Sequence, residues 1–239
     1  MGGSWSNSTV TCTINQTGYF GGTLLIGSDA FLRTTNGSNF VDGGNLTNFG
    51  GLSIGGSLSQ GAIYDDEGGI VTNFGSISSY VVYVAPKSTL NNTATGIVVS
   101  NGPASVIQDF GIVYNSGTIV EEGLFQIGPS AVLENNGDIE NSGSIANEGS
   151  IVDRGSITDS CGANLGGSGE LTGNPPTVSQ CSSNATSVVP QFPDSLLALV
   201  ALASVAAVSI FASQSARELE KPTRSVTRLR RICGIALGY

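Results

Sequence analysis

The sequence predicts an all-β chain wound as a parallel β-helix (β-solenoid, right-handed preferred), followed by a single C-terminal transmembrane α-helix. Three observations carry that prediction. From Glu134 to Ile157 the chain reads as four six-residue units, each with Asn or Asp second, Gly fourth and Ile sixth. A short period kept this strictly marks stacked copies of one structural unit. Next, 34 glycines are spread through apolar residues with no period of three, only 11% of residues are charged, and the mean hydropathy is +0.16. A glycine every sixth residue would cost a helix about 1 kcal/mol each, and so little charge argues against disorder. Last, Ser195 to Ser213 holds no charged residue. At about 1.5 Å per residue that run spans roughly 28 Å, close to the hydrocarbon thickness of a bilayer.

Residues 1–40 are polar, with Trp5, Tyr19 and Phe20 as the main large side chains. They are expected to cap the open end of the solenoid, whose terminal coil is otherwise an unpaired sheet edge. No basic segment leads into an apolar run, so no signal peptide is visible, and Met1 is expected to be an internal start of a longer gene.

Residues 41–165 are the predicted solenoid. The motif of Asn or Asp, any residue, Gly, any residue, aliphatic begins at Asp42–Gly44–Leu46 and recurs at Asn48, Asp66, Asn73, Asp109 and Asn115, with a looser Glu121–Gly123–Phe125. Side chains alternate between faces of an extended segment. The aliphatics should therefore form an inner column, and the Asn amides a ladder near the corners. Glycine is expected to supply the positive φ of a sharp corner. Three hexads make an 18-residue triangular coil that puts Ile139 beneath Ile157. The intervals Asn48 to Asn73 (25 residues) and Asp109 to Asn135 (26 residues) suggest larger coils with loops elsewhere. Roughly six coils are expected, about 4.8 Å apart.

Residues 166–193, rich in Gly, Ser, Thr and Pro with Pro175–Pro176 in the middle, read as a linker. Cys161 stands where the next hexad would have its glycine, so the repeat is expected to stop there. A Cys161–Cys181 disulfide would contribute about 3 kcal/mol in the chain-entropy view and fits an extracellular setting. Cys12 and Cys233 suggest no partner. Residues 194–213 form the expected membrane helix. Residues 214–239 form a basic tail with Arg217, Lys221, Arg224, Arg228, Arg230 and Arg231, which the positive-inside rule places in the cytoplasm and the solenoid outside.

Charge and composition narrow the chemistry. Residues 1–194 hold three basic side chains against sixteen acidic ones, which disfavours nucleic acid as a partner. There is no His, so the commonest general base and metal ligand is missing, and no catalytic residue or cofactor is assigned. Adjacent carboxylates such as Glu121–Glu122 face opposite sides of a strand, which is not the opposed pair that glycoside hydrolysis needs. Asp65, Asp66 and Glu67 are the candidates for a calcium ion, since hard cations take oxygen ligands. Asn7, Asn15, Asn36, Asn45, Asn91 and Asn184 each begin an Asn-x-Ser/Thr acceptor triplet ahead of the membrane segment.

Two resemblances follow from these motifs. The Asn-x-Gly-x-Ile repeats over residues 42–160 resemble those of bacterial and archaeal adhesin-like surface β-helix proteins, which implies that fold and a cell-surface setting. Val189, then Pro190, Gln191, Phe192 and Pro193, the apolar run and the basic residues together resemble archaeal sorting signals of the PEF-CTERM and PEFG-CTERM type. That likeness implies export and an archaeosortase-like enzyme as partner.

The expected function is that of a non-enzymatic, glycosylated, membrane-anchored cell-surface solenoid with an adhesive or envelope role. Its expected partners are the membrane, surface polysaccharide and other envelope proteins. Two alternatives use the same scaffold: a carbohydrate-active lyase or hydrolase, and a stalk for a domain N-terminal to this chain. No aromatic stripe stands out in the sequence, and recognition is expected in the looser coils between Asp42 and Phe125.

Overall fold

The computed structural model describes residues 3–6, 10–15, 17–35, 38–54, 62–66 and 68–179. Twenty-six strands run from β1 (Gly3–Ser6) to β26 (Thr177–Val178), with no helix among the described residues. They form three sheets, here A, B and C, of ten, eight and eight strands, and the chain visits them in that order in each coil. One coil thus takes β2 (Thr11–Ile14) in sheet A, β3 (Gly18–Phe20) in sheet B and β4 (Thr23–Ile26) in sheet C. It then returns to sheet A as β5 (Phe31–Thr34). Neighbouring strands pair in parallel, and the crossover each parallel pair requires is the rest of the coil itself. The exception is β1, which pairs antiparallel with β2 and covers the first edge of sheet A.

The period of two decides what is buried. Nearly every strand shows the same alternation, its second and fourth residues inside. The second residues build the aliphatic columns, and in sheet C Leu46, Val71, Leu90, Val113, Leu133 and Ile151 stack in register. Phe20 and Phe40 stack at the N-terminal end with ring centroids 4.8 Å apart. The hexads behave as predicted: Ile139 of β20 (Asp138–Asn141) lies against Ile157 of β23 (Ser156–Asp159), one 18-residue coil apart. Asn48 and Asn73 also stack, across a coil of 25 residues.

Some boundaries and contacts differ from the sequence reading. Coils begin at Thr11, so much of the expected cap is solenoid. They also continue past Cys161, where a four-residue turn, Ala163 N–H to Ser160 O at 2.9 Å, leads into β24 (Asn164–Gly166). β25 (Glu170–Gly173) and β26 then extend sheets C and A into the stretch that reads as linker. Backbone pairing is indifferent to side-chain composition, which is why a Gly- and Thr-rich segment can still add a coil. Sheets B and C each hold eight strands rather than the six coils expected. Asp109 does not lie under Asn135. It stacks on Ile127 in sheet B, whereas Asn135 is in sheet C.

The glycine argument changes as well. None of Gly137, Gly143, Gly149 and Gly155 has a positive φ. Each lies where a Cβ would strike a carbonyl oxygen of the preceding coil, at 2.1, 1.9, 2.3 and 2.0 Å respectively. Close approach of backbones, not backbone handedness, requires glycine at this motif position. Among the described residues no helix is long and apolar enough to cross a membrane, and residues 194–213 lie outside them.

Candidate functional site

The fourth residue of each strand points inward at a corner, and this is where the polar core lies. On sheet C, Asn48, Asn73, Asn92, Asn115 and Asn135 are fully buried, and each Nδ2 donates to the Oδ1 of the next residue in line at 2.7–2.8 Å. The ladder ends on Asp153, an acceptor. Each amide also donates to a backbone carbonyl of the next coil, as Asn48 does to Ser76 O at 3.0 Å. Buried donors are thereby satisfied, as a stable core demands.

Sheets A and B carry carboxyls in equivalent columns. In sheet B these are Asp42 of β6 (Phe40–Asp42), Asp65 of β9 (Ala62–Asp65) and Asp109 of β15 (Val106–Asp109). In sheet A they are Glu121 of β17 (Thr118–Glu121) and Asp159 of β23, with Asn141 between them in the column. All five are buried. Burial pushes Asp42, Asp109 and Glu121 up to about 7 and Asp65 up to about 8, with the charge of Asp42 adding to the rise at Asp65. These acids face the core, not a groove. Glu122, next to Glu121, is exposed and accepts the Gly102 N–H at 2.7 Å, so the adjacent acids do face opposite ways.

The outer face of sheet B is different in kind. Alternation puts Ala62, Val81, Val106 and Leu124 on the outer side in one column, where Ala62 is nonetheless covered. Tyr19, Val41, Tyr64, Tyr83, Gln108 and Gln126 form the other, in register. The rings of Tyr64 and Tyr83 lie 5.6 Å apart and tilted, and Tyr83 is again 5.6 Å from Phe110 at the corner. Beside them Gln108 Nε2 donates to Gln126 Oε1 at 3.1 Å. Burial raises the Tyr64 hydroxyl above its ordinary value. The Tyr19 hydroxyl is raised by burial and then by the charges of Asp66 and Asp42. From β3 to β24 no outward residue of this sheet is charged, whereas Arg33, Asp138 and Glu140 face out of sheet A and Glu134 and Glu170 out of sheet C. A second aromatic feature sits at the corner between sheets C and A, where Phe49 and Phe74 stack at 4.6 Å and are 44% and 37% exposed.

The residues singled out in the sequence are dispersed. Asp65 is inside, Asp66 stands at the corner after it, and Glu67 lies outside the described residues. Among the described residues no three His, Cys, Asp or Glu side chains are grouped to hold a metal ion. Asn15 and Asn45 are exposed and Asn91 half-exposed, the last two facing out of sheet C. Asn7, Asn36 and Asn184 lie outside the described residues, as do Cys181, Pro190, Gln191, Phe192 and Pro193. Cys161 is disulfide-bonded, and so is Cys12, for which the sequence suggests no partner. The tyrosine column was missed because Tyr64 and Tyr83 are adjacent only across coils. Aligning the coils on their inner Asn, Asp and aliphatic positions would have brought the two together.

No protein family, curated protein or solved structure matches this chain.

Proposed function

We propose that this is a non-enzymatic, membrane-anchored cell-surface solenoid that works by adhesion. In this reading the outer face of sheet B is the contact surface for a neutral polysaccharide of the envelope or of a neighbouring cell. The coils are wound right-handed, as parallel crossovers are. Residues 194–213 anchor the chain, and Asn15, Asn45 and Asn91 carry glycans away from sheet B. One observation supports the choice of face: an uncharged column of half-buried tyrosine rings and the Gln126 amide, with Gln108 covered beside it, on a chain of formal net charge −9. Rings offer apolar faces to sugar C–H groups, and amides offer both donors and acceptors to sugar hydroxyls. A face without charge suits a neutral chain better than an acidic one, which the remaining surface would repel. The buried acids are not disposed as an opposed catalytic pair, which favours this reading over a hydrolase or lyase.

Retention of the full-length chain on immobilised neutral and acidic polysaccharides tests the contact face. Binding to the neutral set should fall about tenfold in Tyr83→Ala, equivalent to roughly 1.4 kcal/mol. Equal retention by wild type and variant would remove sheet B from the reading. Protease shaving of intact cells tests the orientation, and failure to release the solenoid would overturn outward display.

A further inference from the structure

The inner column of sheet B departs from the arrangement that satisfies sheet C. Asp42 and Asp65 are register partners in successive coils and are 0% and 2% exposed. Phe20 precedes Asp42 in the column and Val84, of β12 (Val81–Val84), follows Asp65, so the two acids form a pair between apolar neighbours. Asp42 Oδ1 accepts the Gly44 N–H at 3.2 Å. Its Oδ2 and both oxygens of Asp65 have no partner at full hydrogen-bond geometry, the backbone N–H groups of Leu46 and Thr89 being only weakly engaged with the two carboxyls. A Cβ on Gly69 would meet Asp65 Oδ1 at 2.1 Å, much as one on Gly96 would meet Asn92 Oδ1 at 2.2 Å. Asp65 therefore occupies its corner as the ladder residue Asn92 occupies its own. The difference is chemical: an amide brings donors, an ionised carboxylate brings none, and a protonated carboxyl restores one.

We propose that Asp42 and Asp65 form a proton-operated clasp between the coils carrying β6 and β9, closed while the pair retains a proton and loosened when both carboxyls ionise. Register partners on neighbouring strands lie about 4.8 Å apart, so ionising both sets like charges side by side in a dry interior. Among the described residues no basic side chain is paired with either carboxyl. The titratable groups acting on the pair are Asp66 at the adjoining corner and Tyr19 on β3, both acids. β12 contributes Val84, while β7 (Asn45–Asn48) and β10 (Ile70–Asn73) turn Leu46 and Val71 inward. Lys87, in the turn after β12, is exposed. The ion pair found among the described residues is Arg154–Glu134, several coils away. The folded-state values of about 7 and about 8 put the opening at and above neutrality. The clasp does not depend on the polysaccharide reading and can stand or fall without it.

Hydrogen exchange resolved along the full-length chain, at pH 5.5 and 8.5 and corrected for intrinsic rates, compares wild type with the double variant Asp42→Asn and Asp65→Asn. In wild type the strands β6, β9 and β10 should lose protection at the higher pH by a larger factor than β20 and β23. The variant, with amide donors in place, should keep it. A uniform loss, or the same local loss in the variant, overturns the clasp. Restoration of wild-type protection at pH 8.5 by calcium chloride also overturns it, in favour of a cation between the carboxyls. A second measurement is the infrared stretch of protonated carboxyl at pH 6.5, where exposed carboxylates are ionised. Asp109 and Glu121 contribute to it in both proteins, so the band should be weaker in the double variant than in wild type, and equal intensity overturns the proposal.

Discussion

Asn92 stands near the middle of the ladder, and its Nδ2 reaches Asn115 Oδ1 at 2.8 Å, Thr118 O at 3.1 Å and Gly96 O at 3.2 Å. Its own Oδ1 accepts from Asn73 at 2.8 Å. Replacing it with Leu preserves approximate volume but strips partners from buried groups in three coils, each costing about 1–3 kcal/mol. Asn92→Leu should lower unfolding free energy by about 3 kcal/mol or more, read from denaturant midpoints. A loss below about 1 kcal/mol would mean that water or rearrangement satisfies those groups. A smaller effect of opposite sign belongs to Lys87, which closes the Ala85–Ser88 turn with a φ of 71°. Left-handed backbone costs a non-glycine residue about 1–2 kcal/mol, and a type II turn takes glycine at this position. Lys87→Gly should therefore raise the thermal midpoint, by an amount equivalent to about 1 kcal/mol less the entropy glycine adds to the unfolded chain. An unchanged or lower midpoint would show that the lysine side chain contributes more than its strained backbone costs.

At the scale of elements, corners set the spacing of coils, and those of the hexads are among the tight ones. Gly143, between β20 and β21 (Ser144–Asn147), lies with its would-be Cβ 1.9 Å from Gly123 O, and that obstacle is backbone. Gly143→Ala must push two coils apart or break the Ser144 N–H to Gly123 O bond of 2.8 Å. A loss of about 3 kcal/mol or more is expected, at the severe end for a surface corner; an alanine variant melting with wild type would refute the close-packing account of the motif. The same geometry explains how much could be read in advance. Where Asn or Asp, Gly and Ile all hold their places, as from Glu134 to Ile157, register and stacking follow directly from the sequence. β12 carries Val84 and β18 (Leu124–Ile127) carries Ile127 where the motif has Asn or Asp. Without a polar marker those strands can be aligned only on their aliphatic positions, which leaves the tyrosine column beside them less legible. Asp109 and Asn135 share the motif but belong to different sheets, so the 26 residues between them are not one coil.

Across the whole molecule, the polar core combines the amide ladder of sheet C, which ends on Asp153, with buried carboxyls set into the inner columns of sheets A and B. Asp42, Asp65, Asp109 and Glu121 hold protons in the folded chain up to about 7 or 8, against ordinary values of 3.8 and 4.5. Between those limits the folded state binds more protons than the unfolded state, so stability must fall as pH rises from about 4 to about 8 and level off above. This is the reverse of acid denaturation driven by paired carboxylates. Melting curves from pH 4.5 to 9 should give the highest midpoint at the acid end and a plateau above about pH 8. Repulsion among the surface acids has the same sign, but salt distinguishes the two contributions. Exposed charges are screened within about 10 Å at 0.1 M ionic strength, whereas the cost of ionising a carboxyl inside the solenoid is one of desolvation, which salt leaves in place. The slope should therefore survive added salt, and a slope that vanishes in high salt would assign the effect to the acidic surface instead of the buried columns.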